Sequence, residues 1–90
     1  MLGKGVAQDY AAALRFAHRA ADKGHAGGEV NLGFLYASGW GVPQDVREAI
    51  KWWAKAAAQG NETAIKNLRT LAAGGVPEAS AALLRLRLAP

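Results

Sequence analysis

Few side chains in this 90-residue chain are of the types that catalyse reactions or bind metals. There is no cysteine, which excludes a disulfide framework and a cysteine-ligated zinc site. The two histidines, His18 and His25, form no recognisable set of metal ligands. No serine, cysteine or paired-carboxylate set resembles a catalytic constellation. The sequence therefore predicts a protein that is not an enzyme and that holds neither a metal nor a cofactor.

Basic side chains form two stripes at helical spacing. The stripes are Arg15, Arg19 and Lys23, and Arg47, Lys51 and Lys55. A formal net charge of +4 and a pI of about 9.9 favour an acidic partner. Phosphate binding requires such stripes to converge on one surface, whereas a single stripe is usually the solvated outer face of a helix. We therefore expect the partner to be a protein or peptide and not a nucleic acid.

An internal repeat places these side chains. Gly5-Val6 recurs 36 positions later as Gly41-Val42, and Arg19-Ala20-Ala21 recurs at the same shift as Lys55-Ala56-Ala57. Further pairs at this shift are Asp9 and Asp45, Phe16 and Trp52, Gly24 and Gly60, and Asn31 and Asn67. A period in the mid-thirties fits one helix–turn–helix unit. The chain is therefore predicted to consist of repeated helix pairs.

Capping residues give the predicted helix boundaries. Asp9 and Asp45 are suitable N-caps, and Gly24 and Gly60 are suitable left-handed C-caps, so helices are predicted at 9–23 and 46–59. Helices of the other type are predicted at 28–38 and 62–73, and a fifth at 77–88 starts with Pro77 at its first position. These elements predict an all-α protein that is a single domain over residues 1–90. Its repeat units are 3–38 and 39–74, followed by a degenerate C-terminal helix at 77–88.

The repeated residues resemble the Sel-one-like repeat family, a relative of the tetratricopeptide repeats. Matches to the family pattern are Leu32-Gly33, Tyr36, Gly39, Gly41-Val42, Asp45, Ala49, Trp52, Lys55-Ala56-Ala57 and Gly60. The resemblance covers residues 3 to about 73, with Gly28 in place of the usual alanine. It implies an α-solenoid of four to five helices in antiparallel pairs that serves as a scaffold or adaptor, for example in a bacterial cell. The family's cysteine-containing branch is not matched.

The resemblance also implies a binding surface on the first helix of each repeat. In related tetratricopeptide repeats, the positions of Asn31 and Asn67 line a concave groove, where an amide both donates to and accepts from a peptide backbone. The predicted partner-binding residues are Val30, Asn31, Phe34, Lys66, Asn67 and Thr70. The alternative is that the asparagines bond only to the neighbouring helix. Trp40, between two glycines, either packs across its turn or is an exposed interface anchor.

Two functions of different class are consistent with these features. The leading interpretation is an interaction module that binds a partner peptide or loop in the concave groove. The alternative is a structural segment of a longer solenoid that caps or dimerises, with a weak enzyme or a nucleic-acid binder as a distant third. The helix that carries Tyr10, Leu14 and Phe16 lacks an outer neighbour, and the last helix is crowded with Leu83, Leu84, Leu86 and Leu88. Both ends are therefore expected to have uncovered apolar faces, and we expect homodimers or end-to-end self-association at high concentration.

The sequence contains no apolar run long enough to cross a membrane and no signal peptide at its start. A cytoplasmic location is expected if the chain is complete. A periplasmic or secreted location is expected if a signal peptide has been removed.

Overall fold

The computed structural model describes the backbone of residues 2–88 and the side chains of residues 9–88. Within that range the chain forms five α-helices and no strand. The helices are α1 (Leu2–Asp22), α2 (Ala26–Ser38), α3 (Val46–Ala58), α4 (Glu62–Ala73) and α5 (Pro77–Arg85). Each helix packs against the next along the chain, and α3 also contacts α5. The prediction of an all-α solenoid is confirmed.

Local sequence signals set most of the helix boundaries. The Asp45 carboxylate accepts a hydrogen bond of 3.0 Å from the Glu48 backbone N–H at the start of α3. Asn61 caps α4 in the same way, accepting from the Ala64 N–H at 2.9 Å. At the C-terminal end of α2, Gly39 has a φ of 72° and its N–H donates a hydrogen bond to the Leu35 carbonyl. A residue with a side chain rarely adopts this left-handed conformation, so glycine ends the helix here.

Helix α1 differs from the prediction at its start. The sequence indicated an N-cap at Asp9, whereas α1 begins at Leu2 and runs through that position. The second repeat has Pro43 before its Asp, and the first has Ala7 at the equivalent place. Proline lacks an N–H and disfavours a helical residue before it, whereas alanine has the highest helix propensity. Helix α1 therefore includes the first copy of the motif, whereas α3 begins only after the second copy.

Two buried clusters hold the helices together. The larger cluster contains residues of α2, α3, α4 and α5. Its members are Val30, Ala49, Ile50, Trp53, Ala56, Ala57, Ala64, Leu68, Ala79, Ala82 and Leu83. The smaller joins α1 to α2 and consists of Ala17, Ala21, Leu32 and Leu35. Because most members are alanine, the helix backbones approach closely, and the few large side chains supply most of the buried apolar surface.

The C-terminal helix is better covered than the sequence suggested. Leu83 is fully buried, and Leu86 and Leu88 pack against the larger cluster. Arg87 has a φ of 60°, and the Leu88 N–H bonds back to the Leu83 carbonyl at 2.8 Å, which turns the chain onto the core. The expectation of four uncovered leucines is therefore wrong, since of these four only Leu84 is strongly exposed, at 68%.

Gly28, the departure from the family pattern, lies where α1 and α2 are closest. A Cβ added there would stand 2.4 Å from the Ala20 Cβ and 2.8 Å from the Ala21 backbone nitrogen. Although alanine favours a helix over glycine by about 1 kcal/mol, overpacking typically costs about 1–3 kcal/mol. We therefore expect Gly28→Ala to lower the midpoint of chemical unfolding. Gly27→Ala is the control, because a Cβ there meets nothing within 4 Å.

Candidate functional site

An open groove of about 590 Å³ lies between α1 and α2. Helix α1 lines it with Tyr10, Ala13, Phe16, Ala17 and Ala20, α2 with Gly28, Asn31, Phe34 and Leu35, and the following turn with Trp40. All of these residues except Asn31 are largely apolar, and Ala13, Ala17, Ala20 and Gly28 are small. The groove therefore offers an apolar surface bordered by aromatic rings.

Three large apolar side chains of the groove are unusually exposed. Phe16 is 65% exposed, Trp40 45% and Phe34 40%. Single exposed apolar residues are ordinary, but a contiguous group on one surface indicates an interaction site. Burying each ring against a partner would remove a large apolar area from water.

Two residues that line the groove, Tyr10 and Trp40, form a stacked pair of rings. The rings of Tyr10 and Trp40 are parallel within 9°, with centroids 4.8 Å apart. Gly41, with a φ of 80°, brings the turn so close to α1 that an added Cβ would stand 2.9 Å from the Tyr10 carbonyl oxygen. The turn glycine therefore allows Trp40 to lie over α1, which orders its ring without burying it.

The structure brings together three of the residues predicted from sequence. Asn31, Phe34 and Trp40 line the groove, and Asn31 is the polar member. Phe34 also packs edge-to-face on the Trp53 indole, with ring centroids 5.5 Å apart. This contact fixes the orientation of the Phe34 ring while one face stays exposed.

Val30 lies elsewhere. This residue was predicted to line the groove, but it is only 7% exposed and belongs to the larger core cluster. Its backbone carbonyl accepts a hydrogen bond of 3.1 Å from the Trp53 indole N–H. Helix α2 packs that edge onto α3, so the Val30 side chain stabilises the fold and does not reach a partner in this structure.

The predicted residues of α4 do not join the groove. Lys66 lines a separate, more polar depression of about 500 Å³ with Glu62, Thr63, Ile65 and Arg69. The Thr70 hydroxyl donates to the Lys66 backbone carbonyl at 2.9 Å. Asn67 is half-buried, and within the described residues its Nδ2 has no hydrogen-bond partner. The predicted surface is thus divided between two places.

Tyr10 and Phe16 were expected on an uncovered apolar helix face, whereas Ala13, Ala17 and Ala20 were not predicted as site residues. A signal for them was present in the repeat, because Phe16 is the equivalent of Trp52 and Ala17 that of Trp53. The second copy has two adjacent tryptophans, whereas the first copy has Phe16 next to Ala17. The first copy therefore lacks the side-chain volume that one of these tryptophans supplies in the second.

The basic stripe of α3 takes part in local contacts. Arg47 forms an ion pair of 3.2 Å with Glu78, and Lys51 forms one of 3.5 Å with Glu48. Lys55 stands 4.6 Å from the centroid of the Trp52 ring. These are the contacts of a solvated outer face and not of a convergent phosphate site.

Two other kinds of feature are absent from the described residues. Among residues 2–88, no group of three or more His, Cys, Asp and Glu side chains is placed to hold a metal ion. No helix in the same range combines the length and apolarity needed to cross a bilayer.

Comparison with known proteins also identifies a repeat in this chain. A family model described as Sel1 repeat matches residues 1–25 and 26–61. Among curated proteins, DAP3-binding cell death enhancer 1 of Rattus norvegicus is 41% identical over 59 residues. The protein of that name from Mus musculus is 39% identical over the same length. Each alignment covers 66% of this chain but only 12% of the relative. No solved structure matches.

Proposed function

Since the chain belongs to the Sel1 repeat family, we propose that it is an interaction module that binds a segment of a partner protein in the α1–α2 groove. Sel1 repeats generally mediate protein–protein interaction. The rat and mouse relatives are named for binding a protein, DAP3, which supports the same class of function. The alignment spans only 12% of those proteins, so their named partner is not carried over to this chain.

The observation that carries the proposal is the exposure of Phe16, Phe34 and Trp40 around one groove. Rigid aromatic side chains lose little conformational entropy on binding, and they dominate the energetics of many interfaces. The α1–α2 groove is preferred over a surface joining α2 to α4 because Lys66 and Thr70 lie outside it.

Asn31 has a different role in the proposed complex. It is exposed and is the polar residue of the groove. Its amide offers both donors and acceptors, so it is suited to fix the position of a bound segment. The aromatic rings supply the apolar contacts, and Asn31 determines where along the groove the bound segment sits.

We expect Phe16→Ala to weaken binding by at least about thirtyfold, since loss of a main anchor costs about 2 kcal/mol or more at an interface. Peptides selected from a random display library on the full chain serve as probes, and their affinities are measured by titration. Leu84→Ala is the matched control, because Leu84 is 68% exposed but lies on α5, outside the groove. Selected peptides that bind both variants equally would contradict the proposal.

Phe16→Ala should leave the melting temperature almost unchanged, because the ring is 65% exposed. Phe34→Ala should also weaken binding but is the less clean test, since its ring contacts Trp53. Asn31→Ala completes the set, with a smaller expected loss of affinity.

A second candidate function is self-association, for which Leu84 is the specific observation. Its side chain is 68% exposed on the outer face of α5. If α5 is an assembly surface, sedimentation at rising concentration should show dimers, and Leu84→Lys should return the chain to a monomer. A monomer mass for the parent chain at all concentrations would exclude this function.

A further inference from the structure

Building on the proposed function, we propose that the α1–α2 groove binds an α-helix of another protein. This helix would lie on α1 as α2 itself lies on α3. It would carry a bulky apolar side chain four residues after an acidic one, the spacing that separates Glu29 from Gly33 in α2. The internal repeat supplies the template, since the same interface is occupied in one copy and open in the other.

The occupied copy shows what the open copy lacks. Val30 of α2 shares a buried cluster with Ala49 and Ala56 of α3, both of which are 0% exposed. Their equivalents 36 positions earlier are Ala13, which is exposed, and Ala20, which is half-buried. Within residues 2–88 no helix takes the place on α1 that α2 takes on α3. A helix is therefore the shape that completes the groove.

Side-chain size at one position specifies the apolar part of the pattern. In the occupied copy a Cβ added to Gly33 would stand 2.3 Å from the Trp53 indole nitrogen, so a glycine on α2 makes room for a tryptophan on α3. The equivalent of Trp53 on α1 is Ala17, which lines the open groove. Since the large side chain is missing from α1, the incoming helix must carry it at the position of Gly33.

A buried polar contact specifies the acidic part. Glu29 of α2 is only 4% exposed and accepts a hydrogen bond of 2.8 Å from the Gln59 side chain at the end of α3. The residue equivalent to Gln59 on the first copy is Lys23, which is exposed. An acidic side chain at the Glu29 position of the incoming helix would therefore meet an ammonium group in place of an amide, which strengthens the contact.

Charge also distinguishes a foreign helix from a second copy of this chain. Helices α2 and α4 are committed to the core, which leaves α5 as the helix whose exposed Leu84 could enter the groove. Leu84 is followed by Arg85 and Arg87, so α5 would bring positive charge toward Lys23. An acidic helix of a partner protein is the better match.

The test uses two synthetic peptides with the sequence of residues 25–39 of this chain, one unchanged and one with Gly33→Leu. Both are stapled between positions 27 and 31, which are exposed in α2, so that their helicity is equal. Their affinities for the full chain are measured by fluorescence anisotropy. The Gly33→Leu peptide is expected to bind at least about tenfold tighter, the effect of burying one large apolar side chain. Equal affinities, or no binding of either peptide, would overturn the proposal.

Substitutions in the chain test the same contacts from the other side. Ala17→Trp should reverse the preference between the two peptides. Should that variant fail to fold, Ala13→Trp at the exposed rim should block the Gly33→Leu peptide. Lys23→Glu should weaken this peptide about tenfold, an effect of the size measured for close charge pairs. Lys66→Glu is the control with the same change in net charge. Affinities insensitive to Ala13→Trp and Lys23→Glu would contradict the assigned site.

The remaining outcomes distinguish failure of the helical-partner proposal from failure of the proposed function. If the stapled peptides fail while library-selected peptides still require Phe16, the helical partner is wrong and the proposed function stands. If the selected peptides do not require Phe16, the proposed function itself fails. A parent chain that dimerises and becomes monomeric with Ala13→Trp would show that a second copy occupies the groove, which would also overturn the proposal.

Discussion

Trp53→Ala should destabilise the protein more than any other single truncation that we consider. The side chain is 4% exposed, and its indole N–H donates to the Val30 carbonyl at 3.1 Å. Truncating a buried tryptophan to alanine typically costs about 3–5 kcal/mol, and here a buried carbonyl also loses its donor. A domain of this size has a total stability of about 5–15 kcal/mol, so the variant would be partly unfolded or close to it.

Thermal unfolding followed by circular dichroism measures this effect. We expect the melting temperature to fall by more than about 10 °C. Trp53→Phe should lose less, because most of the apolar volume remains and only the N–H donor is removed. Leu84→Ala is the surface control and should stay within about 0.5 kcal/mol of the parent. A Trp53→Ala variant that melts with the parent would mean that this side chain is not in the core.

Gly33→Leu should cause the second large loss of stability, by the opposite mechanism. An added Cβ would already stand 2.3 Å from the Trp53 indole nitrogen, and the rest of a leucine has no free space. Overpacking of this kind costs about 1–3 kcal/mol and occasionally more. The size of this loss of stability should depend strongly on the residue at position 53 of α3, which faces position 33.

The double variant Gly33→Leu with Trp53→Ala isolates that coupling. The new leucine would fill part of the volume that the indole vacates, so the double variant should be at least about 1 kcal/mol more stable than the sum of the two single losses predicts. Urea unfolding of the four proteins closes the cycle. Additive losses would show that the two positions do not face each other, and they would remove the template for the helical partner.

Helix order and most boundaries could be predicted from the sequence because they depend on local chemistry. Asp45 caps α3 as predicted, and Pro77 begins α5. The start of α1 could not be read from the repeat alone. The repeat predicts an N-cap at both Asp9 and Asp45, whereas the difference between Ala7 and Pro43 determines whether the helix continues.

The groove was harder to predict because its lining depends on which helix faces are covered. Sequence periodicity placed Asn31 and Phe34 off the core stripe, and both line the groove. It could not separate Val30 from them, since only the packing of α2 on α3 buries that side chain. Phe16 was expected on an uncovered apolar helix face, and within the described residues it is 65% exposed.

The two repeat tryptophans also differ in a way that periodicity does not show. Trp52 is less buried than Trp53. Its ring is half-buried beneath Lys55, and its indole nitrogen is buried without a partner among the described residues. Trp53 is buried and hydrogen-bonded, so the larger loss is expected there.

The stack of Trp40 on Tyr10 gives the groove an optical reporter of its own. The Trp40 indole is 45% exposed at the groove, whereas Trp53 is 4% exposed in the core. The emission of an exposed indole shifts to shorter wavelength when a ligand displaces the water around it, and a core indole is shielded already. Occupancy of the groove can therefore be followed in the unlabelled protein, by the fluorescence of a residue that the fold has already positioned beside the ligand.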